Sequence, residues 1–103
     1  MANDYAYIGQ ELKYALTMEA AGFSIDNNDY RIDLVCGKKT ISKKPEDIIM
    51  DEDGQYYVTI DTTDFKPGDL YAIVYAFVPD KDFPDGLRTE IVKTKLATLR
   101  KLK

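Results

Sequence analysis

Short runs in which apolar and polar residues alternate are the feature that most constrains the fold of this chain. Alternation with a period of two puts one set of side chains on each face of a strand, whereas a helix needs a period near 3.6. The apolar faces of the clearest runs are Leu12, Tyr14, Leu16 and Met18; Ile32, Leu34 and Cys36; and Val58 and Ile60. The turn segments between runs are Asp26–Asp29, Gly37–Lys39 and Asp51–Gly54. The pattern predicts an all-β fold, a single antiparallel β-sandwich of about seven strands.

The uncharged run from Leu70 to Val78 is apolar on both faces. This predicts a strand in the middle of a sheet, or one whose outer face meets a partner.

Gly54 supplies the positive φ that closes a hairpin between Ile48–Met50 and Gln55–Val58. The residues expected largely in the core are Leu12, Leu16, Ile32, Leu34, Val58, Ile60, Ile73 and Tyr75.

The chain has 103 residues, enough for one modest core that buries roughly 65% of the unfolded surface. The last strand is expected from Leu87 to Leu96. Val92, Leu96 and Leu99 also fit the spacing of a short helix, so the form of the last residues stays open. The expected organisation is a β-sandwich over residues 1–96, followed by a basic C-terminal tail over residues 97–103.

Histidine is absent and Cys36 is the one cysteine. Catalytic triads that use an imidazole and zinc sites of the His/Cys type are therefore excluded. Cys36 is interpreted as a small buried hydrophobe, and a reactive thiol near Lys38 and Lys39 is the alternative. A lone cysteine cannot form an intramolecular disulfide, which favours a reduced, intracellular or virion-borne protein. No glycine motif for phosphate binding occurs, so no cofactor is expected.

Two observations bear on membranes and secretion. The opening residues Met1–Tyr5 lack the basic and apolar regions of a secretory signal. The uncharged run Leu70–Pro79 is too short to span a bilayer. We therefore expect no membrane partner.

Charge divides the chain into an acidic body and a basic end. Residues 1–87 hold 8 Lys/Arg and 17 Asp/Glu, a net charge of −9, whereas residues 88–103 hold 6 Lys/Arg and one Glu, a net charge of +5. The acidic body disfavours binding to nucleic acid, and a solvated strand end would explain the cations without a partner. The division best fits contact between the basic end and another copy or a different acidic protein.

Clustered carboxylates mark two loops, Asp51–Gly54 and Asp80–Gly86. Calcium loops need oxygen ligands at alternating positions, and Phe83-Pro84 interrupts that spacing in the second loop. Turn chemistry accounts for both loops, so no metal site is assigned, with calcium as the alternative. Acid/base hydrolysis by paired carboxylates is disfavoured because so small a sandwich offers little cleft.

Eight tyrosines and no tryptophan distinguish the aromatic content. Exposed tyrosine is enriched in protein interfaces and also suits sugar-binding surfaces. Packing within the fold is expected for Tyr14, Tyr71 and Tyr75, and Tyr57 is expected to point outward if Tyr56 points inward. Tyr5 and Tyr7, which lie near the N-terminus, are interpreted as contact residues.

The segment from Phe65 through Pro67-Gly68 to Tyr71 resembles the corner of fibronectin type III and related immunoglobulin-like domains. That resemblance implies an immunoglobulin-like sandwich. It also implies that the Tyr71 hydroxyl bonds back to the chain near Phe65, so that Tyr71, Pro67 and Gly68 form a structural corner.

A wider resemblance covers Gly9, Asp53–Val58, Asp61-Thr62 and Pro67-Gly68. Their order is similar to that of small immunoglobulin-like domains of phage particles, such as the N-terminal domain of baseplate upper proteins and capsid decoration proteins. It implies a non-enzymatic virion protein, present in the host cytoplasm during assembly, that docks onto capsid or tail proteins and onto copies of itself. A carbohydrate-binding or adhesion module is the alternative. The expected interface residues are Tyr5, Tyr7, Ile8, Leu96, Leu99, Arg100, Lys101 and Leu102.

Overall fold

The computed structural model describes residues 5–17, 23–25 and 28–102, and these form eight strands and one short 3-10 helix. The strands are β1 (Tyr5–Tyr7), β2 (Glu11–Leu16), β3 (Tyr30–Cys36), β4 (Lys39–Lys43), β5 (Ile49–Met50), β6 (Tyr56–Asp61), β7 (Gly68–Pro79) and β8 (Leu87–Arg100). The 3-10 helix covers Pro45–Asp47. Met18 and the turn residues Asp26 and Asn27, which the sequence pattern included, lie outside the described residues, as does Lys103.

The strands form two sheets, which confirms the predicted all-β fold. One sheet has five strands in the order β1-β8-β7-β3-β4, and the other has three in the order β2-β6-β5. All pairings are antiparallel except the pairing of β1 with β8, which is parallel. The prediction of a wholly antiparallel sandwich therefore needs correction at its first strand.

The core lies between the two sheets and is built from the inward faces of β3, β6 and β7. Ile32, Leu34, Val58 and Ile60 are buried as predicted, and Leu12 and Leu16 are half-buried against this core. In β3 and β6, alternation puts apolar side chains on the inward face and mostly polar side chains on the other. Gly54 has φ 83° in the loop that joins β5 to β6, as the hairpin prediction requires.

β7 is a central strand, as its two apolar faces predicted, but its inward face is the opposite one. Leu70, Ala72, Ala76 and Val78 are buried, and they belong to the even-numbered side. Ile73 and Tyr75 were predicted in the core and instead lie half-buried on the outer face. A strand that is apolar on both sides carries no signal of which side meets the second sheet, and this is why the assignment was wrong.

β8 continues past Leu96 to Arg100, so the structure differs from the expected boundary between sandwich and tail. A β-bulge lies opposite Leu70 and Tyr71, where Leu70 pairs with Ala97 and Tyr71 pairs with Lys95. Leu96 is the extra residue, and it changes which alternate residues face inward. Val92, Leu96 and Leu99 therefore imitate helical spacing although all three belong to one strand. Leu99 is 1% exposed and lies in the core.

Thr62 joins the two sheets where β6 ends. Its side chain is fully buried; the hydroxyl donates to the Gln10 carbonyl at 2.6 Å and accepts the Gly9 N–H at 3.0 Å. The Phe65 N–H then donates to the Thr62 carbonyl at 3.0 Å. These bonds tie the β1–β2 turn to the loop that precedes β7.

Candidate interaction surface

The two ends of the described chain meet on one exposed surface. β1 pairs with the end of β8, so that Tyr5 lies beside Thr98 and Tyr7 lies beside Arg100. The guanidinium of Arg100 lies 3.6 Å from the centre of the Tyr5 ring. The Ile8 N–H continues the pairing by donating to the Arg100 carbonyl at 2.9 Å. Expected interface residues from both ends of the chain thus lie on a single surface.

The expected interface residues divide into exposed and internal groups. Tyr5, Tyr7, Arg100, Lys101 and Leu102 are exposed. Ile8 and Leu96 are half-buried and pack against the core. Leu99 is buried, so these three residues also contribute to the core.

Cations cover tyrosine rings along the outer face of the five-stranded sheet. Arg31 lies 4.3 Å from the Tyr75 ring centre, and Lys93 lies 4.4 Å from the Tyr71 ring centre. A cation over an aromatic face is attracted by the ring quadrupole. These contacts explain why Tyr71 and Tyr75 are half-buried on a face that no second sheet covers.

Tyr71→Phe is expected to change the free energy of unfolding by less than about 0.5 kcal/mol, as for other surface substitutions. Within the described residues the Tyr71 hydroxyl makes no hydrogen bond to the chain near Phe65, and its ring would keep the contact with Lys93. Chemical denaturation measures the difference. A loss of several times this size would restore the corner role implied by the resemblance.

The edge of β8 was not singled out from the sequence. Residues 87–96 pair with β7 on one side, and no described strand pairs with them on the other. Ile91 and Val92 are both exposed there, on opposite faces of the strand. The sequence signal was present: a β-branched run, Thr89 to Thr94, in which both faces carry apolar residues.

An ion-pair cluster fixes the tip of the β7–β8 hairpin. Arg88 lies 2.6 Å from the Asp80 carboxylate and 2.8 Å from the Glu90 carboxylate. The Asp82 N–H also donates to the Asp80 carboxylate at 3.0 Å. The N–H of Asp82 and the guanidinium of Arg88 together lower the pKa of Asp80.

Acid is expected to destabilise the hairpin tip through Asp80. Because the folded-state pKa lies below the ordinary value of 3.8, the stabilising contribution is present above that pH and is lost as the pH falls toward the lower folded value. Asp80→Asn should therefore lower the thermal midpoint at neutral pH and weaken its decline in acid, measured by circular dichroism. Asp82→Asn is the matched control, because the described structure gives that carboxylate no bond. Parallel pH profiles for Asp80→Asn and the unaltered chain would contradict the assignment.

The aspartates of the two loops bond to their own backbone. The N–H of Gln55 and the N–H of Asp53 donate to the Asp51 carboxylate, each at 2.9 Å, and they lower the pKa of Asp51. Asp80 accepts the Asp82 N–H in the same way. Within residues 5–17, 23–25 and 28–102, no group of three or more His, Cys, Asp or Glu side chains is arranged to hold a metal ion. Backbone capping accounts for the loop geometry.

A cleft opens between the edge of β2 and the inward face of β7 and β8. Its volume is about 230 Å³, below the roughly 300–1,000 Å³ of usual ligand pockets. The lining is almost entirely apolar, with Tyr14 and Leu16 on one side and Val74 and Val92 on the other. Among the described residues of the lining, Glu90 is the one carboxylate, and it is paired with Arg88, so these residues offer no pair of carboxylates for acid/base chemistry.

Cys36 lies at the end of β3 with its side chain inside the sandwich. It is 4% exposed, and its thiol donates to the Lys66 carbonyl at 3.4 Å. Burial, followed by the nearby charge of Asp69, raises the pKa of the thiol. Both effects oppose thiolate formation, so this environment favours a packing role over a reactive one.

None of the described segments forms a helix long and apolar enough to cross a membrane. Comparison with known proteins found no matching family model, no matching curated protein and no matching solved structure.

Proposed function

We propose that this chain is a non-enzymatic structural protein of a phage virion, an immunoglobulin-like module that docks onto capsid or tail proteins. The observation that carries the proposal is the exposed surface at the β1–β8 pairing, where Tyr5 and Tyr7 from one end of the chain meet Arg100 from the other. Tyrosine and arginine are the residue types most enriched where proteins bind proteins.

The order of the strands supports the immunoglobulin-like part of this proposal. In the seven-stranded form of such sandwiches the first, second, fourth and fifth strands share one sheet, while the third, sixth and seventh form the other. With β4 set aside as an added strand, β2, β5 and β6 here share the smaller sheet and β3, β7 and β8 form the centre of the larger one, whereas β1 pairs with β8. β4 extends the larger sheet at the edge beside β3, as in the variable-type arrangement.

The tyrosine contacts favour a protein partner over a sugar. Sugar rings stack on open aromatic faces, but cations already lie over Tyr5, Tyr71 and Tyr75 on the larger sheet. Such a surface still offers ring edges, hydroxyls and guanidinium donors to polar groups of a protein. The covered rings offer a sugar less stacking surface, which weighs against the carbohydrate-binding alternative.

The test is the occupancy of the chain on purified particles, measured by quantitative mass spectrometry after density-gradient sedimentation. The double variant Tyr5→Ser, Tyr7→Ser should fold with nearly unchanged thermal midpoint and lose most of its occupancy. Tyr57→Ser on the outer face of the smaller sheet is the matched control, where Lys13 covers the ring at 4.4 Å. Full occupancy of the double variant would refute docking through this surface. Absence of the unaltered chain from the particles would refute the virion assignment.

A further inference from the structure

Two exposed strand edges of opposite charge lie on different sheets of the molecule. The first is the edge of β8 over residues 87–96, and the second is the edge of β5 at Ile49 and Met50. Each edge pairs on one side with a neighbouring strand, and no described strand covers the other side. An uncovered strand edge presents free backbone N–H and C=O groups that another chain can pair with.

Both edges expose large apolar side chains at their centres. Ile91 and Val92 are 60% and 58% exposed, and Ile49 and Met50 are 48% and 57% exposed. Adjacent residues of a strand point to opposite faces, so each edge is apolar on both faces at its centre. Water-exposed apolar groups in such an arrangement favour burial against another apolar edge.

The charges that flank the two apolar centres are complementary. Lys93 and Lys95 follow Val92 on the β8 edge. Within the chain Lys93 lies over the Tyr71 ring, and Lys95 lies 3.3 Å from the Asp69 carboxylate in an exposed ion pair, which a partner's carboxylates would replace. Five carboxylates flank the β5 edge: Glu46, Asp47, Asp51, Glu52 and Asp53. A parallel contact between two β8 edges would bring lysines together. An antiparallel contact that sets Ile91 beside Val92 would place Lys93 beside Glu90 but Lys95 beside Arg88. Contact between two β5 edges would bring carboxylates together. The pairing that satisfies both is one β8 edge with one β5 edge.

We propose that copies of this chain associate head to tail, with the β8 edge of one copy against the β5 edge of the next. In a parallel alignment that sets Ile91 beside Ile49 and Val92 beside Met50, Lys93 lies beside Asp51, and Lys95 reaches the turn that carries Asp53. An antiparallel alignment would instead set Glu90 beside Asp51. The contact uses two different surfaces, so two associated copies each keep one unused edge. Further copies can add at those edges and build a ring or a longer chain.

This inference goes beyond docking onto a particle, because it concerns contacts between copies and is tested on purified protein alone. Failure of self-association would leave the particle-occupancy result unaffected, and the reverse also holds. The residues involved, Lys93, Lys95, Glu52 and Asp53, differ from the tyrosines altered in the occupancy test.

The experiment is sedimentation velocity of the full chain over a range of concentrations and salt. We expect concentration-dependent species larger than a dimer, which weaken as salt screens the charged flanks. The double variant Lys93→Glu, Lys95→Glu should weaken association about tenfold or more, because both edges are then acidic. Glu52→Lys, Asp53→Lys should also weaken association, because two lysines then replace the carboxylates of the turn that Lys95 reaches.

Mixing the two double variants provides the decisive comparison. The unaltered β8 edge of the second then meets the unaltered β5 edge of the first, and the carboxylate at position 95 of the first meets the lysines at positions 52 and 53 of the second, so association should return. Asp51 is kept in all variants because it caps its own turn. Circular dichroism melts establish that each variant is folded. A mixture of folded variants that stays monomeric, or an unaltered chain that stays monomeric at the highest concentration, would overturn the proposal.

Discussion

Truncation of the chain after Leu96 is expected to abolish its cooperative thermal unfolding. The truncation removes Ala97 and Leu99 from the core and removes the strand with which β1 pairs. Loss of one fully buried leucine side chain costs about 2–5 kcal/mol, and a whole domain is stable by about 5–15 kcal/mol. Removing the leucine together with the β1–β8 pairing therefore takes away most of the stability. Differential scanning calorimetry measures the transition.

Truncation after Arg100 is the control for this prediction. It removes Lys101, Leu102 and Lys103 and keeps every residue of β8. Lys101 and Leu102 are exposed, so the thermal midpoint should fall by less than about 4 °C. A cooperative transition at an unchanged midpoint in the chain that ends at Leu96 would mean that residues 97–103 are a separate tail after all.

Thr62→Val should lower the free energy of unfolding by about 1–3 kcal/mol, the usual cost of leaving buried polar groups unpaired. Valine keeps the shape of the side chain but cannot accept the Gly9 N–H or donate to the Gln10 carbonyl. Both backbone groups belong to the turn that passes from one sheet to the other. Urea denaturation measures the change through the shift of the midpoint at constant slope.

Thr63→Val makes the same chemical change one residue away. Thr63 is exposed, and its hydroxyl donates to the Asp61 carboxylate at 2.6 Å. Water can replace that bond, so the effect should stay within about 0.5 kcal/mol. Equal effects at the two positions would contradict the role assigned to Thr62.

The strands that were predicted well are those with one apolar and one polar face. β3 and β6 alternate strictly, and local turn residues define their ends, so Ile32 and Val58 could be placed in the core from the sequence alone. β7 lacks that contrast, and its inward face is set by contact with the other sheet. Ile73 was therefore assigned to the wrong face.

The candidate surface could be predicted only in part, for two physical reasons. Pairing of Tyr5 with Thr98 joins residues at opposite ends of the chain, and no local pattern encodes such a contact. The bulge at Leu96 shifts the alternation within β8, so Leu99 was interpreted as part of a tail. The outward position of Tyr5 and Tyr7 follows a local pattern, because they alternate with Ala6 and Ile8, which pack into the core.

The parallel pairing of β1 and β8 also determines how the molecule would bear a pulling force. Both strands run in the same direction, so tension applied through the two ends of the chain would slide one strand along the other. Sliding loads the bonds between the strands, including the one from the Ile8 N–H to the Arg100 carbonyl, at the same time. If the terminal strands were antiparallel, with their free ends adjacent, the same tension would break the hydrogen bonds between them one after another. A copy held at both ends would therefore resist extension more strongly than its small size suggests.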